Sequence, residues 1–144
     1  MKIGCANCDS ERAKKICKKF EARYNQTPVV IENVEMYKCE SCGEEFLTPS
    51  QSRELSRRIK DHVREQSGLL SPEQIAAIRK NLGLSQSELE NLFGLGEKVV
   101  TRWETGRVIQ ARAADIALRL LRMQPDLLPR LRKTLQRARE TRVA

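Results

Sequence analysis

The first third of the chain alternates and the rest does not. Phe20, Ala22 and Tyr24 alternate with Glu21 and Arg23, which predicts a strand over residues 16–24. A second strand is expected over 29–38, with Asn25-Gln26-Thr27-Pro28 as the turn between them. Residues 44–47 suit a third, shorter strand. From Leu55 onward the apolar spacing becomes three or four. Leu55, Ile59 and Val63 form one stripe; Ile75, Ile78 and Leu82 form the next. Leu89, Leu92 and Phe93 follow, then Val100 and Trp103. Ala113, Ile116, Ala117, Leu120 and Leu121 are expected to line one side of a longer helix. Leu127, Leu128, Leu131 and Leu135 open the last one. The fold class is therefore α+β: a small β domain, then an all-α domain of five helices.

Start and stop signals divide the chain. Thr48 with Gln51, Ser71 with Gln74, and Ser85 with Glu88 each place a capping hydroxyl three residues before a side chain that reaches back. Pro49 and Pro72 fit the first turns they fall in. Gly83 and Gly106 stop helices, and Gly94-Leu95-Gly96 makes a sharp turn. The expected segments are a β domain over 1–48, a linker helix over 49–67, a helical domain over 68–132 and a basic tail over 133–144. Leucine near the C-terminus exceeds what so small a core needs, so the C-terminal half is expected to pair with a second copy.

Cys5-Ala6-Asn7-Cys8 and Cys39-Glu40-Ser41-Cys42 are two C-x-x-C hooks. Two such hooks offer four thiolates to one tetrahedral zinc, and leave no open position for catalysis. The rival readings are disulfides, which a cytoplasmic setting disfavours, and a dithiol redox site, which needs only one hook. A β domain this small buries little, so zinc supplies much of its folding energy. Cys17 reads as an ordinary strand residue, and His62 has no partner in view.

Residues 82–106 read as a helix-turn-helix with a second helix from about 97 to 105. Val100 and Trp103 face inward, while Lys98, Thr101 and Arg102 face outward. In a major groove, Lys98 and Arg102 reach guanine edges or phosphates. Gln86, in the first turn of the preceding helix, suits a phosphate. The DNA-facing set is thus Gln86, Glu97, Lys98, Thr101 and Arg102. The plainer reading is a helical hairpin with a solvated basic face.

Composition agrees with this division. The net charge of +8 falls wholly on residues 51–144, with nineteen Lys/Arg against eleven acids. Residues 1–50 balance at eight of each. A basic half carrying a helix-turn-helix is the footprint expected for nucleic acid, although six of the basic residues crowd into 130–144. That tail is assigned phosphates at most. No apolar run approaches the roughly 18 residues that cross a membrane, and no secretion signal opens the chain. A cytoplasmic protein is expected. No Cys/His, Ser/His or paired-carboxylate constellation points to an enzyme.

LSQSELENLFGLGEKVVTRWETG resembles the helix-turn-helix of phage-repressor-type regulators, whose core reads L-[ST]-Q, a turn, then R-[WY]-E-x-G. The order CANC, strands, IENVEMYKCESCGEEFLT, linker helix and helix-turn-helix resembles the MqsA-type antitoxins over residues 1 to about 132. That resemblance implies structural zinc on Cys5, Cys8, Cys39 and Cys42, and base reading by Lys98 and Arg102. It also implies a toxin bound by the zinc domain, and repression of a palindromic operator by a homodimer. Two departures stand out. Ala6 replaces the common proline of the first hook, and Lys98 stands where one member of that family has asparagine. Lysine favours guanine or phosphate over adenine, so the operator should differ. The alternative is a stand-alone zinc-containing regulator whose N-terminal domain senses a signal or binds another partner.

Overall fold

The computed structural model describes residues 3–143. Residues 1, 2 and 144, at the ends of the first and last expected segments, lie outside the described part. The chain divides into two compact units, Met1–Val63 and Arg64–Ala144.

The first unit is a three-stranded antiparallel sheet followed by a helix. Strand β1 (Ala13–Tyr24) pairs with β2 (Thr27–Cys39), which pairs with the two-residue β3 (Glu45–Phe46). The turn is tighter than the expected four residues. Asn25 and Gln26 both take positive φ, 45° and 69°, and close the hairpin alone. Such a two-residue turn matches the twist of the strands, so Thr27 and Pro28 fall inside β2, opposite Tyr24 and Arg23. Proline is tolerated there because it sits at the start of the strand.

The register then slips once. Lys18 faces Val34 and Phe20 faces Ile31, so Lys19 stands against both Glu32 and Asn33. Asn33 takes the extra residue at φ 53°, a β-bulge. Its effect is visible in the buried positions of β2: Val29 and Ile31, then Val34 and Met36. The spacing of three between Ile31 and Val34 is the bulge, and it keeps all four on one face. Helix α1 (Pro49–Gln66) adds Leu55 and Val63 to the buried set. The Arg58 guanidinium donates to the Glu32 and Asn33 carbonyls at 2.5 and 3.2 Å, which the bulge leaves outside the ladder. The expected box at Thr48 forms, with the Thr48 N–H on Gln51 Oε1 at 2.9 Å and the Gln51 N–H on Thr48 Oγ1 at 3.3 Å.

The second unit holds α2 (Pro72–Asn81), α3 (Gln86–Phe93), α4 (Val99–Glu104), α5 (Arg112–Met123) and α6 (Leu127–Val143). Their core contains Leu70, Ile75, Ile78, Leu84, Leu89, Val100, Trp103, Leu118, Leu121 and Leu128. The inner face of α5 differs from the expectation. Asp115, Leu118 and Leu121 point inward, while Ile116 and Leu120 are about half exposed, at 48% and 51%. The cause is Asp115. Its Oδ1 accepts the Leu70 N–H at 2.7 Å and Gln110 Nε2 at 3.0 Å, and its Oδ2 accepts Arg119 Nε at 2.7 Å. A buried carboxylate so satisfied holds the helix in that rotation, and the leucines three and six residues on follow it inward. The segment expected as a basic tail continues α6 without a break to Val143. Among the described residues no helix is long and apolar enough to cross a membrane.

Candidate metal centre and recognition element

The two hooks meet. The sulfur atoms of Cys5, Cys8, Cys39 and Cys42 all lie within 4.8 Å of one another. Cys5 Sγ is 3.7 Å from Cys42 Sγ, and Cys8 Sγ is 3.6 Å from Cys39 Sγ. Both are far beyond the roughly 2.05 Å of a disulfide, and all five cysteines are free thiols. Four sulfurs about 2.3 Å from a tetrahedral ion stand about 3.8 Å apart, so the cluster has the dimensions of a metal site.

Each hook is built the same way. The Asp9 N–H donates to the Cys5 carbonyl and the Gly43 N–H to the Cys39 carbonyl, both at 2.9 Å. The Cys5 N–H reaches the Ser10 carbonyl and the Cys39 N–H the Glu44 carbonyl, at 2.9 and 2.8 Å. Asp9 (φ 55°) and Gly43 (φ 78°) supply the left-handed residue each turn needs. Gly43 signals this in the sequence, and Asp9 does not. The leading cysteine of each hook is buried and the trailing one exposed. The backbone N–H of Cys42 pulls the Cys39 thiol down to about 6, against the cost of its burial. Cys8 keeps a lowering bond from the Ser10 backbone, but its contacts with Cys42, Cys39 and Cys5, with some loss of hydration among them, push it up to about 12. Crowded thiols cannot all ionise alone, and a divalent cation among them removes that conflict. Cys17 is exposed on β1 and outside the cluster.

The second site is the α3–α4 pair. Ser85 caps α3 as expected: its N–H donates to Glu88 Oε2 at 2.7 Å and its Oγ accepts the Glu88 N–H at 3.1 Å. Gly94 ends α3 in the left-handed region at φ 67°. Helix α4 is shorter than expected, because Glu97 and Lys98 precede it. Lys98 is its N-cap at φ 61° and supplies no side-chain cap. The cap comes from α3, where Glu90 Oε1 accepts the Val100 N–H at 3.0 Å. The Arg102 N–H still donates to the Lys98 carbonyl at 3.1 Å, which keeps the two residues one turn apart.

Of the five residues expected to face DNA, Glu97, Lys98 and Arg102 are exposed. Gln86 and Thr101 turn toward each other, with Thr101 Oγ1 donating to Gln86 Oε1 at 2.9 Å. Gln86 Nε2 then donates to Glu104 Oε2 at 2.8 Å. Glu104 also accepts Arg79 Nε at 2.5 Å and Arg79 Nη2 at 3.0 Å. Arg79 in turn donates to the Leu84 carbonyl at 2.8 Å. Burial works against the Glu104 carboxylate, yet Arg79 and Gln86 hold its pKa below the usual range. The network pins α4 to α2 and α3 with its exposed face free. Sequence reasoning missed Glu90 and Arg79, because a lone charged residue in an amphipathic helix carries no sign of being buried. Glu104 belongs to the R-W-E-x-G block, but its partner lies 25 residues away.

A cysteine-hooked β domain joined by a helix to a five-helix bundle defines a two-part α+β protein with a four-thiol cluster that could hold a metal ion. Residues 1–132 match the family model described as the antitoxin component of bacterial toxin–antitoxin system, MqsA, and the chain belongs to that family. It is 27% identical over 104 residues to "Antitoxin MqsA" of Escherichia coli (strain K12), an overlap covering 72% of this chain and 79% of that one.

Proposed function

We propose that this chain is the antitoxin of a toxin–antitoxin pair and a sequence-specific repressor of its own operon. In this reading α4 enters the major groove as the recognition helix, with Arg102 and Lys98 on base edges and Glu97 beside them. The observation that carries it is the division of α4 and its N-cap: Val100 and Trp103 buried, Lys98 and Arg102 exposed, and Gln86, Thr101 and Glu104 bonded beneath. Gln86 also leaves the N-terminus of α3 beside a backbone phosphate.

Zinc is the ion the four thiolates fit, since a full sulfur set suits a structural and not a catalytic site. It fixes the two hooks against each other, so the β hairpin they anchor is the surface offered to a toxin. A symmetric dimer through the C-terminal half covers Ile116, Leu120 and Met123 on α5, and matches a palindromic operator in a cytoplasmic setting.

Two measurements test the reading. The full chain is titrated against DNA from upstream of its own gene and against a scrambled duplex. Arg102→Ala should cost about 1–3 kcal/mol on the first and relax preference at one base pair per half-site. Equal losses on both duplexes would remove Arg102 from base reading. Separately, the product of the adjoining reading frame should be toxic when expressed alone and should co-purify with this chain. A harmless neighbour that does not bind overturns the antitoxin role.

A further inference from the structure

We propose that the part of α6 beyond residue 132 is a second, sequence-independent DNA contact, in which Lys133, Arg137 and Arg139 bind backbone phosphates flanking the recognised bases. The proposal rests on the DNA-binding role of α4 proposed above.

Leu127 and Leu131 share a groove with Phe93, the last residue of α3. Further along, Arg132 lies 3.9 Å from Glu88 in the first turn of α3, and Leu135 and Arg139 share a groove with Glu88 and Asn91. Helix α6 therefore runs opposite to α3. Its C-terminal half heads for the end of α3 where Gln86 stands, the end that faces a phosphate when α4 lies in the groove.

The extension is helix, with 1.5 Å rise per residue, so eleven residues past 132 reach about 16 Å, near the rise of five base pairs. Its charges hold a fixed register: Lys133 and Arg137 stand one turn apart, and Arg139 lies on the flank of Arg132. All three are exposed, and among the described residues none is in an ion pair. Apolar packing does not account for the segment, because every residue from Gln136 to Thr141 is exposed. Clustered like charges oppose such a helix unless an anion neutralises them. The family match covers residues 1–132 and does not take in the extension.

The test is fluorescence anisotropy on the full chain with Lys133→Gln, Arg137→Gln and Arg139→Gln combined. The probes are a 40-base-pair duplex (roughly four helical turns) from upstream of its own gene and a scrambled duplex of the same length, titrated across a range of KCl. Both affinities should fall by the same factor, about tenfold at low salt. The slope of log K against log salt should flatten by about 0.9 for each phosphate no longer neutralised. The charge-preserving set Lys133→Arg, Arg137→Lys and Arg139→Lys should behave as wild type. An unchanged slope, or weaker binding to the upstream duplex alone, overturns the proposal. Arg102→Ala separates the two readings. A flattened slope in the triple variant, with preference intact in Arg102→Ala, leaves the phosphate contact standing and removes the recognition role. The reverse pattern removes the phosphate contact alone, and a wild-type chain that binds neither duplex removes both.

Discussion

Glu90 on α3 caps α4: its Oε1 accepts the Val100 N–H at 3.0 Å, while Lys98, at the N-cap position itself, contributes no side chain. A six-residue helix is too short to stand on its own propensity, so this one bond from a neighbouring helix sets where α4 begins. Glu90→Ala leaves a buried N–H without an acceptor and should cost about 1–3 kcal/mol. Glu90→Gln keeps an acceptor and should cost less. Urea unfolding of both variants checks the order; equal losses would mean the bond contributes nothing specific.

The Arg79–Glu104 pair makes a pH prediction. Both side chains are about nine-tenths covered. Burial opposes the Glu104 charge, but Arg79 and Gln86 win and hold its pKa down; Glu104 likewise raises that of Arg79. A depressed carboxylate stabilises the fold fully above its unfolded value. That stability is lost as pH falls through the folded value. Asp115 titrates in the same direction: burial works against its charge, but the Leu70 N–H, Arg119 and Gln110 outweigh it. Stability of the helical unit should therefore hold from neutral pH down to the ordinary carboxylate range and drop below it. Glu104→Gln should remove part of that dependence and cost about 3–5 kcal/mol, since Arg79 is left buried and unpaired. Urea titrations between neutral and acid pH measure both.

Cys39→Ser takes a buried sulfur from the four-thiol cluster proposed to hold zinc. The expected result is loss of bound zinc and of the β hairpin's amide signals, with the α2–α5 signals unmoved. Metal analysis and two-dimensional NMR of the variant decide it. A hairpin that survives without metal would mean that Val29, Ile31, Val34 and Met36 suffice.

Two leucines two residues apart on α5 should behave in opposite ways. Leu118 is fully buried, so Leu118→Ala should lower stability by about 2–5 kcal/mol. Leu120 is half exposed, so Leu120→Ala should leave the isolated fold near wild type. It should instead weaken self-association. Sedimentation and thermal melts of each protein separate the effects; a Leu120 variant that associates as tightly as wild type removes Leu120 from the proposed dimer contact.

Alternation and capping made much of this fold readable. The strands of the hairpin, the three capping boxes and the meeting of the cysteine hooks all follow from local spacing. What stayed hidden has one physical form: a polar group buried through a partner distant in sequence. Asp115 turned α5 against its own leucine pattern because its partners include Leu70, 45 residues away. Glu90 and Arg79 look like surface charges until the helices they bind are in place. The basic residues of α1 show the converse. Arg57, Arg58 and Arg64 fall at polar positions of an amphipathic helix, yet Arg57 pairs with Glu54 and Asp61, and Arg58 holds the bulge. Arg64 is buried against the Val108 carbonyl at 3.0 Å.

The bulge at Asn33 gives the hairpin a lock against slippage. Val29 and Ile31 belong to one parity of β2, Val34 and Met36 to the other, and only the extra residue between them reconciles the two. A register shifted by one residue exposes one pair in order to bury the other, so no neighbouring alignment competes with the native one. Two long strands joined by a short turn are otherwise free to slide during folding. It follows that the length between Ile31 and Val34 matters more than the identity of what fills it. A single deletion there sets the two halves of the strand at odds. Many substitutions at Glu32 do not, because its carbonyl and not its side chain meets Arg58.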